Sequence, residues 1–321
     1  MTAPCRIELV EVPEPVLPEA SGGDGWILFE PELACLCGSD LPFFTLNGEH
    51  PVELGQSLHE MIGRVVATNG TRFRPGQRVL AVPHVHRGLF ERYALEESRA
   101  VPLPDGIPDT HLVLAQPLGT VLFAVRKLPT LVGLDVAIVG QGPMGQLFNA
   151  VCRNLGARRV IGIDRLPQRL EVSPRMGATD VACVGRDDVA DLVRERTQGR
   201  GADVVFECVG HGDQAFNQCI ELVAYGGRIL YFGVPPETID GLRWRDLFFK
   251  NATVLTSVYP DFEHDFPLAV RWVAEGRIPL DPIITHTFPL ERIQTAFETF
   301  LEKRDGALKV FIEFPAYRRG E

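Results

Sequence analysis

No stretch of this chain approaches the ~20 consecutive apolar residues that a membrane-spanning helix needs, and nowhere do Lys and Arg cluster. Acidic residues outnumber basic ones, 42 to 32, for a formal net charge of −10. That balance argues against a nucleic-acid backbone or an anionic lipid surface as partner, because both recruit clustered cations. The opening MTAPCRIELVEVPEPV has no cationic stretch leading into an apolar one, so no secretory signal is expected and the expected location is cytoplasmic. Cysteine is sparse too. Seven are present, an odd number, scattered and mostly set in apolar runs, which is the usage of reduced thiols rather than of a disulfide framework. Internal repeats and low-complexity segments are also missing.

What is present fits a soluble globular protein with a substantial core: 321 residues, 45% apolar and 23% charged. The length suggests two domains, and the chain has two styles. Residues 1–120 are rich in Pro, with short apolar runs broken by turns; ATNGTRFRPGQRVLAV reads as strand, Gly/Pro turn, strand. This region is expected to be β-rich and barrel-like. Over 121–258 the style is α/β, with short β-branched strands at 135–140, 158–164, 202–210, 227–235 and 251–258. Between the first two, Met144, Leu147, Phe148, Val151 and Leu155 recur at helical spacing and mark one apolar face. Strand–helix–strand alternation predicts a doubly wound parallel sheet with helices on both faces. Residues 259–321 add a helix pattern, LERIQTAFETFLEK, and a closing strand, ALKVFIEF.

Gly140, Gly142 and Gly145 form G-x-G-x-x-G after an apolar strand and at the start of a helix, and Asp164 ends the next strand about 20 residues on. In a dinucleotide site the first Gly permits the tight turn, the second lets backbone approach a pyrophosphate, and the third allows close helix packing. The helix N-terminus then offers unpaired N–H groups to the phosphates. Asp164 would accept from ribose hydroxyls and repel a 2′-phosphate, favouring NAD over NADP, while the neighbouring Arg165 weakens that preference. Lys309 near the closing strand could reach a pyrophosphate, but a solvated lysine is the expected reading.

Cys37, His59 and Glu60 supply a thiolate, an imidazole and a carboxylate, all acceptable zinc ligands. Their spacing alone does not decide the matter. Ser39 and Asp40 are open to two readings, as residues of a reactive centre or as caps of a following helical turn. Cys35 is expected to face away from Cys37 into the core.

These segments, CGSD (37–40), HE (59–60), RPGQRV (74–79), GLFERYAL (88–95), AQPLGTVLFAV (115–125), VGQGPMG, FECVG (206–210), GGRILYFG (226–233) and ITHTFPLERIQTAFE (284–298), resemble the medium-chain dehydrogenases/reductases. The closest likeness is to the zinc-dependent polyol, sorbitol and threonine dehydrogenase branch, and it runs from about residue 26 to 314. The resemblance implies a GroES-like β-barrel catalytic domain made from both ends of the chain (1–120 and 259–321), with a Rossmann domain (121–258) inserted. It further implies one catalytic zinc held by Cys37 and His59, with Glu60 as ligand or close neighbour and Gln116 as a further candidate. Ser39 matches the residue that takes the alcohol proton, and Asp40 the acid that supports the metal site. NAD would be bound by Gly140, Gly142, Pro143, Met144, Gly145, Asp164, Arg165, Cys208, Val209 and Gly233. The implied reaction is hydride transfer between a secondary alcohol (polyol, sugar or hydroxy-amino compound) and NAD, in a homodimer or homotetramer. Two alternatives stay open: a zinc-free reductase of the same superfamily, and a non-catalytic NAD(H)-binding protein.

Four departures from the family pattern stand out. The cysteine-rich lobe that holds a structural zinc is missing, since AVPHVHRGLFERYAL runs straight across its place. Gln116 stands where the branch usually has Glu. Pro42 replaces a common relay His, which leaves His50, a water or the ribose hydroxyl to carry the proton. Leu58 replaces the Gly that usually precedes His-Glu, a position that often needs an unusual backbone angle. His84 and His86, near the missing lobe, are expected to be exposed loop residues, and Phe43 and Phe44 either line the pocket or pack in the core.

Overall fold

The computed structural model describes residues 1–19, 24–47, 52–210 and 213–318. His50, the relay candidate, lies outside the described residues. The chain divides into two compact units. One comprises residues 1–119, 261–275 and 284–321, and the other 120–260 and 276–283.

In the first unit, strands form where apolar residues alternate or run together between turns. They are β1 (Trp26–Cys35), β2 (Glu60–Thr68), β3 (Arg78–Ala81), β4 (Tyr93–Glu96) and β5 (Ala100–Pro102). The other unit contains β6 (Asp135–Val139), β7 (Arg159–Asp164), β8 (Asp180–Cys183), β9 (Ala202–Glu207), β10 (Val223–Tyr231) and β11 (Thr253–Thr256). The chain then returns with β12 (Ile284–Pro289) and β13 (Lys309–Glu313).

The first unit is built on one mixed seven-stranded sheet of order β12-β13-β1-β2-β3-β5, with β4 also paired to β1. β1 anchors it: Cys35 faces Glu60 on β2 and Phe311 on β13, so residues far apart in sequence meet at one strand end. Phe29, Phe44, Val65, Val79, Phe297, Val310 and Ile312 form its core. Phe44 packs on Phe297 with ring centroids 4.9 Å apart, which settles it as a core residue.

The second unit holds an all-parallel sheet of order β11-β10-β9-β6-β7-β8. Its central strands are buried along both faces, as expected of near-continuous apolar runs such as DVAIV. The order reverses between β6 and β9, the position where doubly wound sheets open a crevice at their strand C-termini. β8 escaped the sequence reading because DVAC is only four residues long. β10 begins at Val223, four residues before the expected start, because Val223 also pairs with Ala202 across a register shift.

The helix Pro143–Asn154 buries the expected apolar face, with Phe148 against Phe206 and Phe232. It also buries a polar one. Asn149 donates to Gln141 Oε1 (2.6 Å), Gln146 to the Gln141 and Arg169 carbonyls (3.1 and 2.9 Å), and Ser173 to Gln141 Oε1 (2.8 Å). Periodicity of apolar residues cannot reveal such a network, because buried amides are tolerated once they are hydrogen-bonded to each other.

Candidate metal centre and dinucleotide turn

β1 stops at Cys35, and Cys37, in extended backbone, begins a single 3-10 turn over Gly38–Asp40. A short helix, Leu41–Thr45, follows with Pro42 in its first turn, where a missing N–H does no harm. Asp40 is fully buried and folded back on the turn. Its Oδ2 accepts from the Cys37 backbone N–H at 2.8 Å, and its Oδ1 from Ser57 Oγ (3.0 Å) and the Leu58 N–H (2.8 Å). Asp40 thus braces its own turn and makes no side-chain cap to the helix that follows, and it also lies 3.8 Å from His59 Nδ1. Burial would raise the Asp40 pKa, but the imidazole of His59 and these backbone donors hold it below the usual carboxylate range. Ser39 is half-buried beside it.

One ligand atom from each of Cys37, His59 and Glu60 lies within 4.8 Å of the others. The sequence-expected trio is thus brought together by the pairing of β1 with the start of β2. His59 Nδ1 is buried and without a hydrogen-bond partner. Burial would depress that imidazole, yet the Asp40 carboxylate and the Cys37 sulfur raise its pKa well above the usual range. Gln116 is buried as the second residue of the helix Ala115–Val125.

Two expectations are corrected at this corner. Lys309 is not solvated; it is 1% exposed and its Nζ donates to Glu60 Oε2. Burial alone would lower its pKa, but the Cys35, Glu60 and Cys37 side chains around it outweigh that and raise it. Cys35 is buried as expected but does not turn away, since it sits beside Glu60 and Lys309. Residues two apart on a strand share a face. Burial pushes the Cys35 thiol pKa well up.

Leu58, fully buried, has φ of 63°, in the left-handed region that Gly adopts freely. The unusual angle is present although the glycine is not, at a backbone strain of roughly 1–2 kcal/mol. His86, expected to be an exposed loop residue, is instead half-buried. It stacks on His59 with centroids 4.1 Å apart and rings inclined by 22°, while Phe43 meets it edge-on at 5.6 Å. Burial, helped by His59, lowers its pKa to about 4. His84, by contrast, is exposed and paired with Glu96 at 2.7 Å. The only sequence signal for His86 was the pair of histidines itself.

In the second unit, Gly140, Asp164, Cys208 and Gly233 all lie at or just beyond strand C-termini. Gly140 has φ of 96°, and a Cβ there would meet the Cys208 carbonyl at 2.9 Å. At Gly145 a Cβ would stand 1.8 Å from the Gly140 carbonyl oxygen, so only Gly lets the helix come so close to the turn. Gly142 is the N-cap of that helix, with Pro143 and Met144 half-buried in its first turn. Asp164 accepts from the Gln141 N–H (2.7 Å) and the Leu166 N–H (2.9 Å), and Arg169 Nη1 lies 3.6 Å from it. Arg165 is exposed. Buried Glu207 gathers the N–H groups of Val209, Gly210 and Gly233, pinning the ends of β9 and β10. Neither Arg169 nor Glu207 was singled out by sequence reasoning, because the strand end that each supports becomes evident only from the sheet order.

Residues 143–275 match the family model described as zinc-binding dehydrogenase. The L-threonine 3-dehydrogenase of Chromobacterium violaceum is 28% identical, over 96% of this chain and 96% of that protein. The enzyme of the same name from Aeromonas salmonicida is 29% identical, over 95% and 96%. An alcohol dehydrogenase of Thermus sp. ATN1 superposes with a TM-score of 0.84 at 25% identity, covering 97% of both chains. Over nearly its whole length the chain is similar to medium-chain dehydrogenases/reductases of the zinc alcohol dehydrogenase type. The donor set of this chain suits zinc: a thiolate, an imidazole and a carboxylate, the three protein ligands usual in a catalytic site. A carboxylate facing one imidazole nitrogen orients the other toward a metal, which is the arrangement of Asp40 and His59.

Proposed function

We propose that this chain is a zinc-dependent oxidoreductase that transfers a hydride between a secondary alcohol and NAD. The observation that carries the reading is the convergence of Cys37, His59 and Glu60 with Asp40 fixed behind them. Cys37 and His59 would hold a single zinc, with Glu60 or Gln116 completing the protein ligands. Zinc when bound supplies a Lewis acid that lowers the pKa of an alcohol.

The chain's own groups do the rest. Ser39, half-buried two residues after Cys37, takes the alcohol proton. Asp40 keeps His59 oriented. Lys309 compensates the charge of Glu60, so that carboxylate stays buried without leaving an unpaired anion in the core. Pro42 carries no proton, so release from Ser39 runs through water or the ribose hydroxyl. The first unit is the catalytic domain and the second the dinucleotide domain. There Gly140, Gly142, Pro143, Met144 and Gly145 cradle the pyrophosphate, and Cys208, Val209 and Gly233 border the cofactor. Asp164 selects NAD over NADP, with Arg165 moderating the preference.

The substrate class is a polyol, sugar or hydroxy-amino compound; the threonine dehydrogenase relatives put L-threonine first for testing. A homodimer or homotetramer is supported by the exposed edge strand β11 and the apolar side chains near it, Phe248, Phe249, Val258 and Tyr259. No helix among the described residues is long and apolar enough to cross a membrane, in keeping with a cytoplasmic enzyme.

The test pairs metal analysis with a panel of secondary alcohols read by NADH absorbance. About one zinc per chain and turnover of at least one alcohol are expected; far less than one zinc per chain would overturn the mechanism.

A further inference from the structure

In its ring plane His59 faces Asp40 and the Cys37 side chain. Asp40 Oδ1 stands 3.8 Å from Nδ1, beyond hydrogen-bond length, so this carboxylate biases the ring without locking it. Rotation about the last side-chain torsion of His is broad and soft, so such a ring needs another restraint to aim a nitrogen steadily. A further restraint is a face, the ring of His86 at 4.1 Å and 22°.

The backbone goes to some trouble to put that ring there. Val85 and His86 both occupy left-handed conformations, φ 41° and 58°. Each such residue stores roughly 1–2 kcal/mol, and strain of this kind persists where the surroundings over-determine it. The surroundings here are the metal corner's own backbone. Ser57 donates its N–H to the His86 carbonyl at 2.6 Å, and Gly88 donates to the Ser57 carbonyl at 3.0 Å. Gly88 is itself required, since a Cβ there would stand 2.6 Å from the Leu58 carbonyl oxygen. Phe43 meets His86 in an edge-to-face contact at 5.6 Å. The loop 84–88 is thus clamped to residues 57–58, immediately before His59. The ligand atoms of Asp40, His59 and His86 also lie within 4.8 Å of one another, but two rings stacked at this inclination do not aim their in-plane lone pairs at one point, so the observed arrangement is that of a platform and not of a second ligand.

We propose that His86 is a positioning residue, a stacking platform that fixes the plane of the His59 imidazole and so tightens zinc binding. The proposal rests on the zinc reading above and assigns His86 no contact with substrate.

The test is Zn2+ affinity of the full chain, measured by competition with a chromophoric chelator, alongside thermal unfolding of the metal-free protein. His86→Ala is expected to weaken zinc binding on the order of tenfold, in the range seen for residues that orient metal ligands. His86→Phe, which restores a ring, should return to within about threefold of wild type. His86→Leu fills the volume without a flat ring and should bind as weakly as the Ala variant, which keeps the test open if His86→Ala does not fold. Wild-type affinity in His86→Leu, or no recovery in His86→Phe, would overturn the proposal. A wild-type chain that binds no zinc overturns the zinc reading and this one together, whereas tight wild-type binding that His86→Leu matches overturns this one alone.

Discussion

The glycine turn of the second unit and the candidate metal corner of the first solve one problem, a tight local geometry, by opposite means. At the turn the backbone does the work without strain. Gly140 takes its positive φ freely, and Gly145 leaves the space that the helix needs. At the corner the backbone is strained at Leu58, Val85 and His86, all of them residues with side chains, and is held there by hydrogen bonds among Asp40, Ser57 and Gly88. The turn should therefore be indifferent to most side-chain changes and intolerant of any added Cβ at Gly145. The corner should behave the other way round, depending on which side chains are present.

The largest effect should come from the corner. Cys37→Ser, or removal of metal by a strong chelator, is expected to lower NAD-linked turnover by more than about 100-fold, beyond the 10–100-fold usual for supporting residues. Restoration by added zinc in the wild type, but not in the variant, checks it. NAD affinity should be unaffected in both cases; a parallel loss would break the separation between corner and turn.

Next is Lys309→Met. Removing one partner of a buried ion pair strands the other charge, at about 3–5 kcal/mol. Denaturant unfolding of the metal-free protein should show a clear drop in midpoint. The double variant Lys309→Met with Glu60→Gln should recover part of it.

Gly145→Ala places a methyl 1.8 Å from the Gly140 carbonyl oxygen. A loss of about 1–3 kcal/mol from overpacking is expected, together with weakened NAD binding by fluorescence titration and unchanged zinc content. A fall in zinc content would again erase the contrast.

The smallest expected effect is Asp164→Ala, which should shrink the NAD-over-NADP ratio in kcat/KM by about tenfold, equivalent to ~1.4 kcal/mol. Asp164 is tied to the Gln141 and Leu166 N–H groups and stands near Arg169, so some loosening of the turn should accompany it. A ratio that does not change would sharpen the picture, leaving Asp164 as a brace of the turn rather than a selector.

Most of the architecture could be read from local pattern. The alternation of strand and helix over 121–258 and the Gly/Pro-broken strands before it both correspond to observed sheets. The glycine fingerprint is legible because each Gly answers a constraint set by neighbours within a few residues. Cys37, His59 and Glu60 could be named from their chemistry, though not grouped by their spacing. What escaped was the polar underside of the helix Pro143–Asn154, the four-residue β8, the stack of His86 on His59 and the burial of Lys309.

By itself, then, the sequence determined which segments become strands and helices, which turn needs glycine, and which side chains are able to bind zinc. These depend on short-range sterics and on intrinsic donor chemistry. Only the tertiary structure decided that Lys309 meets Glu60 across 249 residues of chain, that Cys35 stands beside that pair, and that Leu58 keeps a glycine-like angle. Such meetings are set by the register of β1 between β2 and β13, and strand register is the outcome of packing an entire sheet, which no local stretch of residues encodes.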